Sequence, residues 1–172
     1  ALEVLAGVQD GNQSARLNKT LVRELQVASS AGAGYDGTSR GPSLFTLEGT
    51  PSEGVSVAEL EAALREQITV LARDGISAQE LARVKAQVTA NEVYKRDSVF
   101  YQAMQIGQME SIGLSHRDIP VALAKIQAVT AQQVQEAARD ILRDDNLIVA
   151  VLEPQALTGK PKRVNEGAIH AR

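Results

Sequence analysis

Few residues in this sequence have the types and spacing to do chemistry. Gly32-Ala33-Gly34-Tyr35-Asp36-Gly37 spells G-x-G-x-x-G, the spacing with which dinucleotide folds cradle a pyrophosphate. That chemistry needs the glycines between a strand and a helix, with the phosphate on the helix N-terminus. Here Gly41-Pro42 follows closely and the next stretch reads as extended. The glycines therefore predict a tight connection between strands, where freedom at φ is useful. A metal centre needs clustered ligands. His116 and His170 stand 54 residues apart, and neither lies in an H-x-x-x-H or H-x-x-E-H pattern. Both read as solvated. The sequence has no cysteine, which removes disulfides, thiol nucleophiles and cysteine-based zinc or iron–sulfur sites. No nucleophile elbow is assigned: Gly37-Thr38-Ser39-Arg40-Gly41 carries the letters G-x-S-x-G, but Gly41-Pro42 and an extended stretch follow where an elbow needs a helix, and a Ser–His–Asp set could be built only by free choice among many serines. Glu59, Glu61 and Glu66 beside Arg65, and Asp97 after Lys95-Arg96, read as helix caps and solvated faces. Tyr94 and Tyr101, seven residues apart, are predicted to share one helix face and to pack. No catalytic, cofactor-binding or metal-ligating residue is assigned in the chain.

The elements that would have to position any site come from 172 residues, enough for one good-sized domain. Hydrophobic residues make up 44% and charged residues 23%, an ordinary balance for a folded core. The aromatics are only Phe45, Phe100, Tyr35, Tyr94 and Tyr101, so the core must rest on Leu, Val, Ile and Ala. A net charge of −3 offers no basic footprint for nucleic acid. Absence of cysteine leaves the compartment open; a bacterial parent in the periplasm is compatible with it. No apolar run has the length to span a bilayer, and no signal peptide is recognisable. The chain opens on Ala-Leu-Glu-Val-Leu, which reads as the inside of a helix, so the expectation is a domain cut from a larger protein.

Along the chain, a first helix covers residues 1–8 and stops at Asp10-Gly11-Asn12. Ser14 is predicted to cap a second helix through about Glu24, with Leu17, Leu21 and Val22 on one side. Gln26 to Tyr35 and Pro42 to Thr50 read as two strands around the turn Asp36 to Gly41, a hairpin or meander. Ser56-Val57-Ala58-Glu59 and Ser77-Ala78-Gln79-Glu80 fit the capping box, and each predicts a helix start. The first helix carries Leu60, Leu64, Ile68 and Leu71 and ends at Asp74-Gly75. The second is predicted to run, with a bend, to about Gly107 or Gly113. Ser115 begins another, interrupted by Pro120. Thr130 begins the last, with Val134, Ala137, Ala138, Ile141 and Leu142 facing inward. The run Leu147 to Leu152 predicts a strand buried on both faces that joins the early pair. The stretch from Pro154, with Gly159-Lys160-Pro161-Lys162-Arg163, reads as a flexible tail. The fold class is α+β: a mixed, mainly antiparallel sheet with helices packed on one face. Residues 1–154 form the domain and 155–172 the tail.

Several of these pieces together resemble the C-terminal domain of pitrilysin/insulinase-type zinc metallopeptidases, relatives of the mitochondrial processing peptidase subunits. They are Ser14-Ala15-Arg16-Leu17, Leu21-Val22-Arg23-Glu24, the small-residue strand ending at Gly34-Tyr35, and Gly41-Pro42-Ser43-Leu44-Phe45. The helix from Val57, Gly75-Ile76-Ser77 with Glu80-Leu81, Val84-Lys85, Asp97-Ser98, Gly113-Leu114-Ser115 and Val129-Thr130-Ala131 follow in order. Asn146-Leu147-Ile148-Val149 and Leu152-Glu153-Pro154 close the set. The resemblance spans about residues 1–154. It implies that the zinc site, an inverted H-x-x-E-H helix plus a downstream Glu, lies in a sister N-terminal domain of the parent. It also implies that the family domain's first strands lie upstream of Ala1. The domain in hand would be the non-catalytic half that faces the zinc domain across a peptide-holding chamber. Some members grip substrate with an Arg on the second strand and a Tyr shortly after. This chain has Leu44-Phe45 there, and no Tyr between Phe45 and Leu64. A second homologous chain would then carry the grip.

The resemblance leaves two functional classes. One is the non-catalytic domain of a zinc-dependent endopeptidase, with no cofactor in this chain and zinc in the upstream domain. The other is a non-proteolytic assembly subunit of the same fold, like the core proteins of the cytochrome bc1 complex. A nucleotide-binding role for the glycine cluster predicts tight NAD or ATP binding on titration, and none is expected. Apolar surface is expected to be exposed where upstream strands and the sister domain would pack, with self-association as a consequence.

Overall fold

A helix that is apolar on all sides belongs in the middle of a domain, and the first helix fits that rule. In the computed structural model, which describes residues 1–155, α1 (Leu2–Asp10) buries Val4, Leu5, Ala6, Val8 and Gln9. It packs against a two-stranded sheet on one side and against the helices α3 (Ala78–Arg96) and α6 (Ala131–Ile141) on the other. Val4, Leu5 and Val8 form one core cluster with Leu71, Val84, Val134 and Ala138. A second cluster, Leu17, Leu21, Ala28 and Leu60, sits under the sheet. The expected aliphatic core is what forms.

One polar group is sealed into that core. Gln9 is fully buried, and neither its amide nitrogen nor its oxygen has a hydrogen-bond partner among the described residues. An unpaired buried amide costs about 1–3 kcal/mol. Gln9→Met, similar in volume, is expected to raise stability by about 1 kcal/mol. The urea midpoint reads it, and a lower midpoint for the variant would contradict it.

The sheet is a hairpin of β1 (Ala28–Tyr35) and β2 (Phe45–Pro51), antiparallel, with a bulge between Ala28 and Ser30. Leu47 packs on the helical side, whereas Thr46, Glu48 and Thr50 are exposed. That alternation covers one sheet face with helices and leaves the other to solvent. Gly32 and Gly34 lie within β1 rather than in the turn; only Gly37 belongs to the connection. The turn is held by Asp36, whose carboxylate accepts both the backbone and hydroxyl hydrogens of Thr38 at 2.8 Å.

The helix starts follow the sequence signals closely. α2 (Val57–Asp74), α3 and α6 each carry a complete capping box, from Ser56/Glu59, Ser77/Glu80 and Thr130/Gln133. Gly75 ends α2 at φ +72°, a conformation that favours glycine.

Several expectations are corrected. Residues 18–24 form a π-helix, Asn18–Glu24. Ser14 does not cap it; its amide donates to the Asn12 side chain at 2.7 Å, an Asx turn that serves the loop instead. The long bent helix is two helices. Ser98 leaves helical geometry and caps α4 (Val99–Ser111) by accepting the Tyr101 amide. Tyr94 and Tyr101 therefore lie on different helices, and Tyr94 is 73% exposed. Pro120 interrupts nothing. It sits in the first turn of α5 (Ile119–Ala128), where its missing N–H costs nothing. Ser115 caps a short 3-10 turn, His116–Asp118, just before it. Ile141, expected inside, is 45% exposed at the end of α6.

The largest correction is the last strand. Among the described residues, Leu147 to Leu152 pair with no strand and the sheet is two-stranded. Leu147 is already extended, at φ −90° and ψ 135°, but Ile148 is 82% and Leu152 94% exposed. A strand needs a neighbour for its backbone groups, and neither edge of the hairpin reaches this run. The predicted tail falls beyond residue 155, outside the described residues, apart from Gln155 itself.

Candidate functional site

The glycine cluster builds no phosphate cradle. Its first two glycines lie inside β1, and β2 rather than a helix follows. The chemistry of a helix N-terminus on phosphate has no place there. His116 is exposed at the 3-10 turn and lies 2.8 Å from the Glu110 carboxylate through Nδ1. The Glu110 carboxyl is held below its ordinary value, first by the His116 backbone N–H and then by the ring. His170 lies outside the described residues. Among the described residues, no three His, Asp or Glu gather as metal ligands would, and no helix is long and apolar enough to cross a membrane.

The carboxylates on α2 divide as their spacing suggests. Glu59 closes the capping box on Ser56. Glu61 pairs with Arg65 at 2.7 Å, and Arg65 also reaches Asp144 at 2.6 Å. Glu66 and Asp97 are exposed. Where some family members place the gripping Arg and Tyr, Leu44 is 71% exposed before β2 and Phe45 faces Tyr35 across the hairpin.

Sequence reasoning missed two constellations. In the first, the Arg16 guanidinium donates Nε to Glu80 Oε1 at 2.7 Å and Nη2 to Glu80 Oε2 and the Gly75 carbonyl at 3.0 Å. Glu80 also accepts the Ser77 amide and hydroxyl at 2.8 Å. One carboxylate thus serves the α3 cap and the α2–α3 turn together. Hydrogen bonds from Arg16 hold its carboxyl down at about 2, against the pull of burial, with Ser77 adding to the effect.

The second is a cleft of about 280 Å³ between α1, α3, α4 and α5. Val88, Met109, Leu123 and Ile126 are among its apolar lining residues, and Glu92, Lys95, Gln105 and Gln108 among its polar ones. Lys95 donates to Glu92 at 3.0 Å and its Nζ stands 5.0 Å from the Tyr101 ring centroid. Gln105 donates to the other Glu92 oxygen at 3.4 Å, and Gln108 to Thr38 Oγ1 at 3.0 Å. Glu3 stands at the mouth. These residues come from four helices and a turn, so no local spacing announces them.

This is an α+β domain in which helices cover one face of a hairpin, and its polar clusters are clamps and caps. Residues 1–88 match the peptidase M16 inactive domain. The chain belongs to that family. No curated protein matches it. Among solved structures it is similar to the inactive peptidase domain of a candidate zinc protease from Bordetella parapertussis. The TM-score is 0.75 at 17% identity, over 91% of this chain and 84% of that one. A candidate zinc protease from Bordetella pertussis Tohama I gives 0.73 at 18% identity, over 84% of this chain and 79% of that one. A protease from Helicobacter pylori gives 0.78 at 15% identity and covers 84% of this chain. The chain spans only 35% of that protease's length. At these identities the likeness is one of fold, and it includes the helix-covered antiparallel sheet expected from the sequence.

Proposed function

We propose that this chain is the non-catalytic domain of a zinc-dependent endopeptidase and that it shapes a chamber holding peptide opposite a separate zinc domain. The observation that carries this reading is the match of residues 1–88 to the peptidase M16 inactive domain. In this reading a sister domain of the same parent holds the zinc, which would activate water for attack on the peptide bond. This domain contributes walls. With Leu44 and Phe45 in place of a basic and phenolic grip, a second homologous chain supplies that contact.

The test compares the parent with this chain alone. The parent is expected to hold stoichiometric zinc and to cleave an unfolded polypeptide such as casein until a chelator removes the metal. The chain alone is expected to bind no stoichiometric zinc and to cleave nothing. Zinc or activity in the isolated chain would overturn the assignment. A parent with no H-x-x-E-H segment and no zinc would instead point to the assembly role.

A further inference from the structure

The stretch from α4 through the 3-10 turn to α5 is joined to the domain more loosely than the other helices. Among the described residues, α4 buries only Met109, and neither the turn nor α5 buries any. By contrast, α1 buries five of its nine residues. Within this stretch, Ile126 packs against the core cluster, and it lies three positions before Val129. The cleft of about 280 Å³ lies between the stretch and α1 and α3, so the two surfaces meet without the close packing of an interior. What ties the stretch down is polar. Beyond the Ser98 cap, its side-chain hydrogen bonds to other described residues come from glutamines. Gln127 Nε2 donates to the Lys85 carbonyl at 3.0 Å and to Thr89 Oγ1 at 2.8 Å. Gln102 donates to the Arg96 carbonyl at 2.6 Å, Gln105 to Glu92 at 3.4 Å and Gln108 to Thr38 Oγ1 at 3.0 Å. Exposed bonds of this kind exchange for bonds to water at little net cost.

The two joints are extended residues beside helices that carry their own caps. Ser98, at φ −105° and ψ 113°, separates α3 from α4 and caps α4 with its hydroxyl. Val129, at φ −59° and ψ 135°, separates α5 from Thr130, whose capping box with Gln133 starts α6. At the first joint the Asp97 and Ser98 amides bond back to Tyr94 and Lys95, whereas the Gln102 amide bonds to the Ser98 carbonyl. At the second, the Val129 amide bonds back to Ile126 and the Val134 amide to Thr130. Rotation about φ of Ser98 and ψ of Val129 therefore breaks none of these backbone bonds. Between the joints the stretch is stitched together. The Leu114 amide donates to the Met109 carbonyl at 3.0 Å, and Glu110 accepts the His116 amide at 3.0 Å.

We propose that residues 99–128 form a hinged lid, which swings as one body about Ser98 and Val129 and opens the cleft beneath it. Closed, the lid keeps Met109 out of solvent and the glutamine bonds made. Open, it keeps both helices and both caps and gives up only those bonds and the loose apolar contact. The inference stands apart from the chamber reading, because it concerns the motion of this chain alone and needs neither zinc nor peptide.

The chain has no cysteine, so one introduced thiol reports on one place. Met109→Cys puts a thiol under the lid; Val134→Cys and Ala138→Cys each put one in the core. N-ethylmaleimide reacts with a buried thiol only when an opening exposes it. In the 172-residue chain, the thiol at 109 is expected to react at least about 100-fold faster than either core thiol. Urea below the unfolding transition is expected to leave the rate at 109 nearly unchanged, because a swing exposes little surface, and to speed the core thiols steeply. Gln127→Ala, on the other helix of the lid, is expected to speed the thiol at 109 about fivefold. Arg16→Ala weakens a clamp outside the lid, and is expected to speed the core thiols while leaving the thiol at 109 unchanged. Unchanged far-UV circular dichroism checks that each variant folds. Equal rates at 109 and in the core, a urea slope at 109 as steep as in the core, or indifference of the thiol at 109 to Gln127→Ala overturns the proposal.

Discussion

Arg16→Ala is expected to lower the stability of this domain by about 2–3 kcal/mol, far more than a surface ion pair usually contributes. The reason is what the variant leaves behind. Glu80 loses two short hydrogen bonds, and the Gly75 carbonyl loses its donor. Both side chains are mostly out of solvent, at 21% and 18% exposure. Arg16→Lys is not expected to rescue, because an ammonium cannot reproduce the fork that reaches both carboxylate oxygens and the carbonyl. Urea melts read both variants, and a loss below about 0.5 kcal/mol for Arg16→Ala would sink the idea of a clamp.

The same clamp gives the pH dependence its sign. The Glu80 carboxyl is depressed in the folded state, to about 2 from an ordinary 4.5. Its contribution is therefore complete above the unfolded value and is lost as pH falls from about 4.5 toward 2. A depression of that size corresponds to roughly 3 kcal/mol; solvent screening of a partly exposed pair reduces this to on the order of 1–2 kcal/mol. The wild-type chain is expected to lose that stability across this window, and Glu80→Gln to lose less of it. Parallel acid-unfolding curves for the two would contradict the assignment.

Gly7→Ala is expected to destabilise by about 1–3 kcal/mol, although alanine is the better helix former by up to about 1 kcal/mol. A methyl added at Gly7 would come within 2.8 Å of Val84 Cγ1. Val84 is stiff at χ1 and buried in the core, so it cannot swing aside. Gly7 thus sets how closely α1 and α3 approach. The double variant Gly7→Ala/Val84→Ala is expected to be more stable than the sum of the two single losses, because the new methyl takes room that valine vacates. Strict additivity in the thermal midpoints would show that the two positions do not touch.

What the sequence made legible was local. Ser56/Glu59, Ser77/Glu80 and Thr130/Gln133 cap their helices because a hydroxyl and a carboxylate or amide three residues apart need nothing from the rest of the fold. The hairpin was legible from Asp36 to Gly41 for the same reason. The α3–α4 break was hidden because the seven-residue spacing of Tyr94 and Tyr101 outweighed the equally local signal of Ser98, a cap in waiting. Leu147 to Leu152 misled in the opposite way. Its composition reports burial, but pairing is a property of two segments, and one segment cannot show it. The cleft was illegible because Glu3, Glu92, Met109 and Ile126 converge only after four helices have packed. The family was legible from short pieces taken in order, and the match of residues 1–88 to the peptidase M16 inactive domain bears that reading out.

The unpaired run from Leu147 to Leu152 has a consequence for handling the chain. Six apolar residues, three of them β-branched, with no charge, glycine or proline among them, meet the description of a segment that stacks into cross-β ribbons. With Ile148 to Leu152 in no strand ladder among the described residues, and Ile148 and Leu152 in solvent, the run can nucleate such stacking from the folded state, without prior melting. Turbidity of concentrated samples would then track the chemistry of this hexapeptide more closely than the melting temperature of the core. A charge at Ile148 would clear the solution while leaving that temperature in place.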